Sequence, residues 1–156
     1  MKGCVIWTRV STKYQENNGA SLSDQKKKCE LFAKQNGYTI KGYFGGTHES
    51  ANTPGPLLKA MYEAIKKDRT ITHLIVPAID RFSRKVAQGA TIVSKLWKLN
   101  VIIVDASSGI DSSTHEGRMM IHIKLGLAEW DNGNRTDKFT SGRKHCLENG
   151  AYIGAS

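Results

Sequence analysis

Two short segments of this chain concentrate side chains suited to phosphate chemistry, and each follows an apolar run. Cys4–Trp7 leads into Thr8-Arg9-Val10-Ser11-Thr12, and Leu74–Ile79 leads into Asp80-Arg81-Phe82-Ser83-Arg84. In an open α/β sheet, ligands bind in the loops at the carboxyl ends of the strands. If both segments occupy such loops, Ser11, Arg9, Asp80, Arg81 and Arg84 share one crevice. A hydroxyl nucleophile ringed by guanidinium groups suits attack on a phosphate, because arginine offers fixed, paired donors to phosphate oxygens. The same groups would stabilise charge developing on those oxygens, and could help move protons from Ser11 and to the leaving oxygen without a metal. The chemistry indicated is phosphoryl transfer.

Spacing adds to this reading. Arg9 lies two residues before Ser11, on the same side of an extended strand. Arg81 and Arg84 are three apart and share a face if a helical turn follows the second apolar run. Gln15 and Gln25 can supply neutral hydrogen bonds near Ser11. Plainer roles exist for each segment alone. A serine at a strand end is commonly a turn former, and Asp80 can cap a helix whose arginines are solvated surface. Taken together, the two segments favour the chemical reading. Other nucleophilic and nucleotide-binding schemes find little to use. There is no G-x-S-x-G elbow and no G-x-x-x-x-G-K-[ST] loop. His48, His73, His115, His122 and His145 are scattered, so nothing nominates a Ser-His-Asp relay.

These residues need strands to carry them. Apolar, β-branched or aromatic runs predict strands at 3–10, 38–44, 73–79 and 101–105, with a weaker signal near 107–111. Helical periodicity fills the gaps between them. Ser21 and Asp24 form a capping-box pattern, and Gly37 suits the αL position that ends a helix. A second helix follows Pro54-Gly55-Pro56 with Leu58, Met61 and Ile65 on one face, and a third carries Val86, Ala90, Val93 and Trp97. Alternating strands and helices predict an α/β fold, a mostly parallel four- to five-stranded sheet with helices on both faces. From Gly117 to Gly150 no proline intervenes, and Met120, Ile123, Leu127 and Trp130 make an apolar stripe at coiled-coil-like spacing. The stripe packs either on its own sheet or beneath a second subunit. Beyond Trp130 the chain turns polar, with Arg135, Lys138, Arg143 and Lys144. The expected organisation is an α/β core over 1–115, a long helix region over 116–150 and a tail over 151–156.

With 156 residues, the chain can build one hydrophobic core. Its 23 Lys and Arg against 14 Asp and Glu give a formal charge of +9, which favours a polyanionic partner. Cys4, Cys29 and Cys146 are odd in number and widely spaced, as reduced thiols rather than a disulfide frame or zinc site. The amino terminus lacks a signal peptide's apolar core, and no run approaches the ~20 residues of a membrane span. The expected location is cytoplasmic.

Arg9-Val10-Ser11-Thr12, Ser21-Leu22-Ser23-Asp24-Gln25 and Asp80-Arg81-Phe82-Ser83-Arg84 together resemble the serine recombinases, the resolvase/invertase family. The likeness runs from about residue 2 to the carboxyl end. The longer spacing between Ser11 and Ser21, with Glu49-Ser50-Ala51 and Glu129-Trp130-Asp131-Asn132, is most similar to the large serine recombinases of integrases and mobile elements. The resemblance implies that Ser11 attacks a DNA phosphodiester, leaving a 5′-phosphoserine link and a free 3′-hydroxyl. It implies active-site roles for Arg9, Arg81 and Arg84, with Asp80 orienting them and Gln15 and Gln25 nearby. It further implies double-stranded DNA as partner, a homodimer on each site, a tetramer in the synaptic complex, and no metal or nucleotide cofactor. The helix after Gly117 then serves oligomerisation through its stripe and DNA contact through Arg135, Lys138, Arg143 and Lys144. Members of the family bind DNA through carboxyl-terminal domains, so this chain reads either as a catalytic domain cut from a longer protein, the favoured reading, or as a degenerate remnant.

The sequence departs from the family in two places. Asn52-Thr53-Pro54-Gly55-Pro56-Leu57-Leu58-Lys59 holds no arginine where members usually carry one, leaving Lys59 or Lys66 as substitute charge. Asn132 stands where an arginine is common. The alternative function is therefore a cleavage-deficient, recombinase-like domain that binds DNA or regulates active partners. A flavodoxin-like or receiver-like module would explain the sheet but leave the arginine motifs unused.

Overall fold

The computed structural model describes residues 2–10, 22–47, 56–79 and 86–127. Four parallel strands form one sheet: β1 (Lys2–Val10), β2 (Tyr38–Thr47), β3 (Ile71–Val76) and β4 (Ile102–Asp105), in the order β2-β1-β3-β4. Helices α1 (Leu22–Gln35), α2 (Pro56–Lys67) and α3 (Val86–Lys98) alternate with them. A further helix, α4, covers 115–127.

Both faces of the sheet are covered, as strands with apolar residues on successive positions require. On one face Val5, Trp7, Leu74, Val76 and Ile103 meet Leu58, Met61 and Ile65 of α2, Ile92, Val93 and Leu96 of α3, and Ile121 and Leu125 of α4. On the other, Cys4, Ile6, Ile75 and Val104 meet Cys29 and Ala33 of α1. The alternation of Cys4 and Ile6 with Val5 and Trp7 is the period-two pattern of a strand buried on both sides. The α2 face is the one its spacing predicts. The α3 face is rotated from its prediction: Val93 is buried, but Ile92 and Leu96 share the core with it, and Ala90 and Trp97 are half-buried. Gly37 closes α1 at φ 72°, the left-handed geometry expected of it.

The weak strand signal near 107–111 becomes a turn with a single antiparallel bridge, Val104 to Asp111. Asp105 causes the turn. Its carboxylate Oδ1 accepts the N–H groups of Ser107 at 2.8 Å and Ser108 at 3.1 Å, which bends the chain out of the sheet. The chain then returns, and Ser112 Oγ accepts from the N–H of Ile103 at 2.9 Å. Gly117 seats α4 on this return, since a Cβ there would lie 1.8 Å from the carbonyl oxygen of Asp111.

The strand order reverses direction at β1. From β1 the chain crosses to β2 on one side, then to β3 and β4 on the other. The carboxyl ends of β1 and β3 therefore flank a topological switch point, where open α/β sheets bind ligands.

Candidate active site

Arg9 is the penultimate residue of β1 and is only 6% exposed. A guanidinium so enclosed is not solvated surface, and burying its charge requires compensation nearby. The β1–β3 ladder ends at Ile6, short of Arg9. Beyond it, Gln25 of α1 takes the place of a strand. Arg9 N–H donates to Gln25 Oε1 at 3.1 Å, and Gln25 Nε2 donates to the Arg9 carbonyl at 3.2 Å. Gln25 is itself 5% exposed, so both bonds are buried and hold their geometry. The helix that follows the first motif thus fixes the backbone at which the motif begins.

At the carboxyl end of β3, Pro77 and Ile79 are buried, and Ile79 immediately precedes Asp80. The backbone there is held from β4. Asp105, fully buried, accepts the Ile79 N–H on Oδ2 at 3.2 Å. The same oxygen accepts Lys124 Nζ of α4 at 3.0 Å. Burial pushes this carboxyl's pKa up, but its bonds from Ser107, Lys124, Ser108 and Ile79 outweigh that and hold it below the usual value. It stands as an anion.

Of the residues the sequence nominates, the structure brings Arg9 and Gln25 together. Ser11, Gln15, Asp80, Arg81 and Arg84 lie outside the described residues, as do Trp130, Arg135, Lys138, Arg143 and Lys144. Met120, Ile123 and Leu127 lie on α4 and are 37%, 46% and 57% exposed. Burial on α4 falls instead to Ile121 and Leu125, so the nominated stripe is not the face that packs on this sheet. Lys66 cannot substitute for an arginine at the switch point. It lies at the end of α2 that leads into the start of β3, at the amino ends of the strands and away from the switch point, and pairs with Glu63 at 3.4 Å. Asp105 and Lys124 escaped the sequence reading. The run Asp105-Ala106-Ser107-Ser108 carries a turn signal, but no local period points to Lys124 or Ile79.

The thiols near β1 are packing groups. Cys4 and Cys29 are buried, and desolvation pushes their pKa values up to about 11 and about 12, so neither supplies a thiolate near neutrality. Among the described residues, no helix is long and apolar enough to cross a membrane.

Residues 4–152 match the family described as Resolvase, N terminal domain. A Bacillus subtilis (strain 168) protein named "Putative DNA recombinase" is 26% identical over 151 residues, covering 95% of this chain. The chain spans 29% of that relative's length. Among solved structures, a resolvase family site-specific recombinase from Streptococcus pneumoniae superposes with a TM-score of 0.65 at 25% identity, covering 96% of this chain and 99% of that one. The N-terminal catalytic domain of TP901-1 integrase has the same fold, with a TM-score of 0.70 at 22% identity over 86% of this chain and 99% of that one.

Proposed function

Because the chain belongs to the resolvase N-terminal domain family, the catalytic domain of serine recombinases, we propose that it cuts and rejoins DNA through Ser11. Ser11 Oγ attacks the phosphorus of a phosphodiester. The Oγ–P bond forms as the P–O3′ bond breaks; Oγ gives up its proton, and the 3′ oxygen leaves with the electron pair and takes one up. Arg9, Arg81 and Arg84 bind the non-bridging oxygens, Asp80 orients the arginines, and Gln15 and Gln25 complete the polar surround. A 3′-hydroxyl then attacks the phosphoserine and restores Ser11. Each step exchanges one phosphate ester for another, so no nucleotide energy source is consumed.

The observation that carries this reading is Arg9, buried at the carboxyl end of β1 beside the switch point and pinned through its backbone by Gln25. The partner is double-stranded DNA, bound as a dimer on each site and a tetramer at synapsis, and the protein acts in the bacterial cytoplasm. The exposure of Met120, Ile123 and Leu127 supports a subunit interface on α4, which would continue through Trp130. Arg135, Lys138, Arg143 and Lys144 would meet the DNA backbone farther along.

The test is covalent capture. Full-length protein incubated with its DNA should become attached to the 5′ end of the cut strand, and Ser11→Ala should abolish the adduct while retaining binding. Adduct formation by Ser11→Ala would sink the assignment. The missing arginine near Pro56 favours a second reading, a cleavage-deficient regulator, and binding by the wild type without any adduct would select it.

A further inference from the structure

The two oxygens of Asp105 do different work. Oδ1 serves the local turn, accepting from Ser107 and Ser108. Oδ2 is not needed for that turn, and both its partners are distant in sequence: Ile79 N–H at 3.2 Å, 26 residues away, and Lys124 Nζ at 3.0 Å, 19 residues away. One oxygen therefore joins the residue before Asp80 to the last described turn of α4. Lys124 is anchored a second time, by Ser108 Oγ at 3.0 Å. It sits between the buried Ile121–Leu125 face and the exposed face of Met120, Ile123 and Leu127, with its side chain 29% exposed.

We propose that Lys124 is a positioning residue: through Asp105 it sets the backbone at Ile79, and so makes the placing of the 80–84 segment depend on the seating of α4. This rests on the reading that Arg81 and Arg84 act on the scissile phosphate. A buried carboxylate that loses its cation is left uncompensated, and it turns or hydrates to recover solvation. Either response weakens its bond to Ile79. Arginines that must meet a phosphate within a fraction of an ångström lose rate when their base shifts. Covering the exposed face of α4 with a second subunit would reduce water around Lys124 and tighten the pair. Assembly and competence for cleavage would then be linked through a single ion pair.

The experiment compares Lys124→Met and Lys124→Arg in the full-length protein by two readings. The first is site-resolved amide hydrogen exchange. In Lys124→Met, exchange at Ile79 should rise by on the order of tenfold while Ile103, in the same sheet, is unchanged. The second is adduct formation with DNA. At saturating DNA the rate should fall by about tenfold or more, with half-saturating DNA changed less than about twofold. Lys124→Arg keeps the charge and should restore both. Lys124→Gln gives the same readings if Lys124→Met lowers the melting temperature. Unchanged exchange at Ile79 would overturn the proposal, as would a parallel loss of affinity, rate and stability that Lys124→Arg fails to rescue. Wild-type protein that forms no adduct would instead remove the phosphoryl-transfer reading, and any catalytic consequence of the link with it. Exchange at Ile79 would still report whether Lys124 holds the segment's base.

Discussion

Gln25 does for the end of β1 what a neighbouring strand does for its middle. Replacing it by alanine strips a donor and an acceptor from the buried backbone of Arg9. Gln25→Ala should therefore lower unfolding free energy by about 2 kcal/mol, the cost of buried groups left unpaired, and slow adduct formation. Urea melts measure the first effect, and an unchanged midpoint would show that the two bonds contribute nothing. Asp105 carries a pH signature. Its folded pKa lies below the ordinary carboxylate value of about 4, so the unfolded chain takes up the proton first as pH falls. The stability it confers is whole above that ordinary value and is lost as pH drops through the folded pKa. Asp105→Asn should be less stable than wild type at neutral pH, and the gap should narrow in acid; a gap independent of pH would mean that the ionised form is not what stabilises. At this scale the sequence was half legible. It marked Arg9 as a neighbour of Ser11 by a spacing of two and named Gln25 as a nearby hydrogen-bonding group, but Asp105, Lys124 and Ile79 meet only in the fold.

α4 presents apolar residues on two faces, and among the described residues one of them is buried. Ile121 and Leu125 are buried in the sheet's core, while Ile123 and Leu127 are 46% and 57% exposed. The two pairs should respond differently to substitution. Ile121→Ala should destabilise the fold by about 2–5 kcal/mol through lost burial and a cavity. The double change Ile123→Ser with Leu127→Ser should cost less than about 1 kcal/mol in the monomer and shift sedimentation of the oligomer towards monomer. Unfolding by the second pair would return the stripe to the core and move the interface elsewhere. The strands and the α2 face were readable because their burial follows a strict local period. The α4 faces were not, because periodicity tells that an apolar stripe exists and not which neighbour covers it. The loop after β4 misled for a related reason: the lone β-branched Ile110 gave a weak strand signal, yet the Asp105 carboxylate had already turned the chain aside.

At the scale of the molecule, a parallel sheet that reverses its order at β1 puts a switch point at the carboxyl ends of β1 and β3, and a charge of +9 favours a polyanionic partner. These two properties can be separated by salt. Non-specific affinity for duplex DNA should fall linearly in log–log form with salt, by about 0.9 per phosphate neutralised. Lys138→Glu removes a cation proposed to face the backbone, so it should weaken binding to unrelated sequences about equally and reduce that slope by about 1. Ser11→Ala should leave the slope untouched, because a hydroxyl neutralises no phosphate and releases no counterion. If Lys138→Glu instead discriminated strongly among sequences, the helix would be reading base edges rather than holding the backbone. If Ser11→Ala changed the slope, the loss of adduct in that variant would reflect altered docking, and the hydroxyl would no longer be separable from binding.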